Sequence, residues 1–187
     1  ILCVLLLLFT GCSSKTSMIE IQKHVYVEKE FKDSWLETNE FGDSYIKEEL
    51  QGGYHYHFDQ QFLEIFFNTG GKIELYNYSI KKNDLIISGE MIPPKTIRLV
   101  HPHLDNVTSE GVIIHELGHY FDEKHQFSSS KQFTKLYKKY RTLFNQKTKK
   151  EYFAECFKEY VGGHQEKVKP FHSYMKTITQ KIRQKNK

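Results

Sequence analysis

His115-Glu116-Leu117-Gly118-His119 places two imidazoles four residues apart, with a carboxylate directly after the first. Positions four apart on an α-helix share a face, with Cβ atoms roughly 5–6 Å apart, so both rings can turn a nitrogen to one ion. Zinc accepts a neutral imidazole nitrogen at about 2.0–2.1 Å and, in a reactive site, takes three protein ligands and leaves a fourth position for water. The spacing therefore predicts a helix carrying His115 and His119 as metal ligands, with Glu116 beside the water position as a general base.

The flanks favour that helix. Gly111-Val112-Ile113-Ile114 is an apolar lead-in, and Leu117 and Phe121 continue the apolar face. Thr108 or Ser109 is expected to cap the helix, with Glu110 in its first turn. Asp122 falls three residues past His119, on the same side as the two imidazoles.

A third ligand is expected from Glu151-Tyr152-Phe153-Ala154-Glu155-Cys156-Phe157, where Glu151 and Glu155 are four apart and share one helix face. Phe153, Ala154 and Phe157 are left to pack against the domain. Two carboxylates so placed divide the work: one binds the metal, and the other accepts the outer N–H of a ligating histidine, fixing its tautomer. Glu151 is assigned to the metal and Glu155 to the histidine.

Taken together, His115-Glu116-Leu117-Gly118-His119-Tyr120-Phe121-Asp122 and Glu151-Tyr152-Phe153-Ala154-Glu155 resemble the zinc metallopeptidase family of the anthrax lethal factor catalytic domain and the clostridial Pro-Pro endopeptidases. The likeness is concentrated in residues 108–160. It implies one Zn2+ held by His115, His119 and Glu151, Glu116 as base, and Glu155 behind a ligand, with Asp122 matching an acidic position of the first helix. It also implies a peptide or protein substrate. One position departs from the pattern: the family has a tyrosine seven residues before its glutamate ligand, and this chain has Phe144 there. A phenyl ring donates no hydrogen bond, and oxyanion donors are often worth about 10²–10³ in turnover. Tyr140, ahead of Tyr137, is the expected substitute donor.

Residues 1–11 form an uncharged apolar run, shorter than the roughly 20 residues a membrane-spanning helix needs. The run fits the apolar part of a secretory signal, entered partway because no basic segment precedes it. Thr10-Gly11-Cys12-Ser13-Ser14-Lys15, with Phe9 where leucine is usual, resembles a bacterial lipobox, which implies acylation of Cys12. Two acyl chains give stable anchoring where one gives marginal binding, so the expected location is extracytoplasmic, on the cell membrane. Of the 3 cysteines, Cys3 lies in the signal and Cys12 is acylated, leaving Cys156 as a buried thiol without an intramolecular partner.

Residues 12–18 read as the lipidated cysteine and a tether, and 19–187 as one α+β, zincin-like domain: a small mixed sheet, the metal helix and C-terminal helices. Extended segments are expected around Ile19, Ile21, Val25 and Val27. Asp59 is expected to cap a helix through Phe62, Leu63, Ile65 and Phe66, stopped by Gly70-Gly71. Strands are expected over 72–78, 85–88 and 96–100, with Leu85–Gly89 as an edge that could bind an extended peptide. His55 and His57, alternating with Tyr54 and Tyr56, read as strand residues; they and His101, His103, His125 and His164 are expected in surface or structural roles.

Net charge is +4, unevenly spread: Lys131–Lys150 holds eight Lys or Arg and no acid. Such runs read as solvated helix faces, with anionic lipid or wall polymers as neighbours if the faces cluster. No nucleic-acid recognition motif accompanies the charge, so no such partner is expected, and a monomer is presumed. The leading expectation is a membrane-anchored zinc endopeptidase. The alternative is a zinc-stabilised lipoprotein, weak or inactive as a catalyst, that binds a peptide or wall component.

Overall fold

A computed structural model describes residues 17–38, 42–82, 85–101, 111–146 and 148–185. The signal segment, Cys12, Pro102, His103 and the Thr108–Glu110 capping positions lie outside the described residues.

The chain folds into a mixed α+β arrangement. Strands β1 (Met18–Gln22) and β2 (Val25–Glu28) form an antiparallel pair, followed by short helices α1 (Lys32–Leu36) and α2 (Tyr45–Gln51) and by α3 (Gln61–Asn68). Next come β3 (Lys72–Tyr76), the hairpin β4 (Ile80–Lys82) and β5 (Leu85–Ile87), β6 (Gly89–Ile92) and β7 (Thr96–Val100). The last part is helical: α4 (Val112–His125), α5 (Lys131–Tyr140), α6 (Lys149–Val161) and α7 (His172–Lys185). Five strands form one sheet in the order β1-β2-β3-β7-β6, parallel across β2/β3 and β3/β7 and antiparallel at both edges.

Alternation along the strands sorts the two sheet faces. Val25, Val27, Ile73, Leu75, Ile97 and Leu99 are buried. On the other face Glu74, Arg98 and Glu90 are cross-strand partners: Arg98 Nε donates to Glu74 at 3.2 Å and its Nη1 to Glu90 at 3.4 Å. This one-sided burial directs the apolar face toward the helices, where Phe62, Phe121 and Phe157 meet edge to face or tilted at centroid distances of 5.3–5.9 Å.

Several local expectations shift. The helix beginning near Asp59 is present, with Asp59 Oδ1 accepting from the Gln61 N–H at 3.1 Å and Gly70 in the left-handed region at φ 83°. The strand expected over 72–78 ends at Tyr76. The 85–88 segment contributes β5, which pairs with β4 in a separate two-stranded hairpin, and the edges of the five-stranded sheet are β1 and β6. Gly89 marks the change, because β6 crosses the start of α4 so closely that a Cβ there would stand 2.6 Å from Val112 Cγ1. Residues 54–57 form a loop rather than a strand, held by a 2.8 Å hydrogen bond from the His57 N–H to the Gly162 carbonyl. The cap position of α4 is Gly111, at φ 73°, later than the expected Thr108 or Ser109.

Among the described residues, no helix is long and apolar enough to cross a membrane.

Candidate metal centre

The centre is built where α4 and α6 touch. A Cβ on Gly118 would stand 2.9 Å from Ala154 Cα and 3.2 Å from its carbonyl oxygen, so only glycine lets the two helices meet at this distance. Ile113, Ile114, Leu117 and Phe121 bury the other side of α4. That packing leaves His115 and His119 on the side facing a cleft of about 780 Å³.

Glu151 enters from the first turn of α6. Thr148 caps this helix, its hydroxyl accepting from the Glu151 N–H at 3.2 Å, and Thr148-Lys149-Lys150-Glu151 has the spacing of a capping box. The Glu151 carboxylate does not fold back on the cap. Its Oε2 lies 3.3 Å from His115 Nε2 and 3.2 Å from His119 Nε2. The three ligand atoms all fall within 4.8 Å of one another, so the group can hold a metal ion.

The separations suit zinc. Two donors at about 2.0–2.1 Å from a tetrahedral ion stand about 3.3 Å apart, which is the spacing of Glu151 from either histidine. His115, His119 and Glu151 would hold such an ion through two imidazoles and one carboxylate, the ligand count of a reactive zinc site. Behind the ligands, Glu155 Oε2 lies 3.2 Å from His115 Nδ1, so a proton on Nδ1 leaves the Nε2 lone pair facing Glu151 and His119.

The electrostatics follow from these contacts in the metal-free protein. Burial alone would lower the His115 pKa, but hydrogen bonds to Glu151 and Glu155 and the nearby Glu116 charge push it up to about 9. Hydrogen bonds with His115 and His119 hold Glu151 well below the usual carboxylate range, against the opposing effect of burial. For Glu155, burial is outweighed by hydrogen bonds with His115 and Lys158, and its pKa is lowered. Glu116 is 6 % exposed, and burial raises its pKa against the pull of His115 and His119. The backbone N–H of Met91 on β6 also favours the charged form of Glu116.

The remaining expected residues have other partners, although Asp122 lines the same cleft. Asp122 is 2 % exposed and spends both carboxylate oxygens on Ser128, accepting from its N–H and its hydroxyl at 2.6 Å each. Through these two bonds it ties the turn after α4. Tyr140 packs against Phe171, with ring centroids 6.1 Å apart, and does not line the cleft. Tyr137 and Phe144 both pack on Tyr152. His101 is buried between Trp35 and Tyr45, its Nε2 3.2 Å from the Ser34 carbonyl oxygen, and His125 packs on Phe127. His164 bonds Glu159 through Nδ1 at 3.0 Å. Cys156 is a buried free thiol, its pKa pushed up by burial.

The cleft also contains residues that the motifs alone do not nominate. Met91 and Glu90 of β6, Ile86 and Ile87 of the hairpin, and Lys158 of α6 all line it. Lys158 was accessible from spacing, since it stands one turn past Glu155. Comparison with protein-family profiles and with curated protein sequences finds no match for the chain.

Proposed function

We propose that the cleft is the active site of a zinc-dependent endopeptidase with a zincin-like domain, related in its site to the lethal factor and Pro-Pro endopeptidase family. The single observation that carries this reading is the convergence of Glu151 Oε2 on His115 Nε2 and His119 Nε2, at 3.3 and 3.2 Å, with Glu116 buried beside them. Bound zinc supplies a Lewis acid that polarises a peptide carbonyl and acidifies water.

The chain's own groups supply the rest. Glu116 accepts a proton from the attacking water and passes it to the leaving amine. Glu155 keeps the proton of His115 on Nδ1. The outer edge of β6 faces the cleft, and its backbone can pair with an extended substrate; Ile86, Ile87 and Met91 offer apolar contacts to alternate side chains. Lipidation at Cys12, with an extracytoplasmic location on the membrane, belongs to the same proposal and rests on the Thr10-Gly11-Cys12 sequence.

A second reading, a zinc-holding protein that binds peptide without cutting it, is favoured by one observation. Among the described residues no tyrosine lines the cleft, so the hydroxyl lost at Phe144 is not replaced by Tyr140 or Tyr137. Zinc content and peptide-library cleavage by wild type, Glu116→Gln and Glu116→Ala, with and without chelator, separate the two. Zinc binding with chelator-sensitive cleavage by wild type alone supports the peptidase. Zinc binding with no product after long incubation supports the binder.

A further inference from the structure

Lys158 is a partly buried cation at the cleft that neither ligates nor reacts in the scheme above. Its side chain is 16 % exposed, and its Nζ lies 2.7 Å from Glu155 Oε1 and 3.7 Å from Glu159 Oε1. The stem is confined: a Cβ on Gly111 would stand 2.9 Å from Lys158 Cδ, and Nζ lies 5.9 Å from the centroid of the Tyr56 ring. Tyr56 is itself held by Glu159, which accepts from its hydroxyl at 3.1 Å. The lysine is therefore fixed from several sides before it meets Glu155.

We infer that Lys158 is a positioning residue of the metal centre, acting on His115 through Glu155. The inference rests on the metal-site reading of His115, His119 and Glu151. A carboxylate has two equivalent oxygens and can turn about its last bond. The ion pair from Lys158 engages Oε1 and leaves Oε2 for His115 Nδ1, 3.2 Å away. That arrangement demands a proton on Nδ1 and so presents the Nε2 lone pair to the side of His119 and Glu151. Without the lysine, Glu155 would keep its charge in a site only 14 % exposed with one partner fewer, and its rotamer would no longer be set.

The test is the zinc dissociation constant, measured by competition with a chromophoric chelator, in the full protein and its variants. Lys158→Met and Lys158→Gln are expected to weaken zinc binding by about tenfold, toward the lower end of what outer-shell losses cost, while Lys158→Arg stays within about threefold of wild type. In a Glu155→Gln background, Lys158→Met is expected to add less than about twofold, because its route to His115 is already cut. A purely packing role would give the same loss in both backgrounds, and that result overturns the inference. So does wild-type affinity in folded Lys158→Met and Lys158→Gln. A wild type that binds no zinc overturns both this inference and the peptidase reading. Zinc binding that shows the expected pattern without peptide cleavage supports the inference and removes the peptidase reading alone.

Discussion

Gly118 and Ala154 bring α4 and α6 into backbone contact, the glycine standing where any Cβ would come within 2.9 Å of the Ala154 Cα. This contact sets the reach of Glu151 toward both histidines. Alanine in place of glycine gains about 1 kcal/mol in helix propensity, yet here it must push two helices apart. Overpacking of this kind costs roughly 1–3 kcal/mol. Gly118→Ala should therefore lower the unfolding temperature and Gly118→Val should lower it further, with zinc affinity falling in parallel. Thermal unfolding with and without zinc checks this; a stabilised Gly118→Ala protein would contradict the close approach.

Asp122 should matter for folding and not for metal. Removing a buried charged acceptor of two 2.6 Å hydrogen bonds, as in Asp122→Ala, should cost on the order of 2–3 kcal/mol and leave one zinc per chain. Denaturant unfolding gives the first quantity and metal analysis of the folded variant the second. Loss of zinc with unchanged stability would place Asp122 at the metal instead.

Tyr140→Phe should leave turnover within about twofold of wild type, because its ring packs on Phe171 away from the cleft. Phe144→Tyr should likewise not raise turnover, since that ring sits against Tyr152 at 5.2 Å. Steady-state kinetics on a cleaved peptide measures both. A loss of about 10²–10³ in Tyr140→Phe would make it the oxyanion donor after all.

Metal binding should release protons. In the metal-free protein the folded pKa of His115 is about 9, above its ordinary value near 6.5. Its stabilising contribution is complete below about pH 6.5 and is lost as pH rises through about 9. Zinc needs the neutral ring, so its affinity should rise as pH increases across that interval, with His115 releasing close to one proton at pH near 7.5. Calorimetry in buffers of different ionisation enthalpy counts the protons; pH-independent affinity over this range would contradict the assignment.

The parts of this arrangement legible in the sequence are those with a strong period. His115/His119 and Glu151/Glu155 are each four apart, and helical geometry alone puts each pair on one face. The strands of the sheet centre, with Ile73, Leu75, Ile97 and Leu99 alternating inward, were legible for the same reason. What escaped depends on contacts between distant segments. The edge strand Gly89–Ile92 is short, begins with glycine and runs into Pro93-Pro94, so locally it reads as a turn; pairing with β7 makes it a strand. Tyr54 to His57 alternates like a strand but is held as a loop by Gly162. Asp122 shares the histidine side of its helix, yet Ser128 lies close enough to claim its carboxylate. Helical spacing gives the direction of a side chain, and only the fold gives its partner.

The most direct test of the central claim is cleavage of a peptide library by the zinc-loaded wild type and by zinc-loaded Glu116→Gln. The account predicts that both hold one zinc per chain and that the variant cleaves at least about 10²-fold more slowly, the contribution expected of a general base. Equal cleavage by the two proteins, or a wild type that holds no zinc, would contradict it.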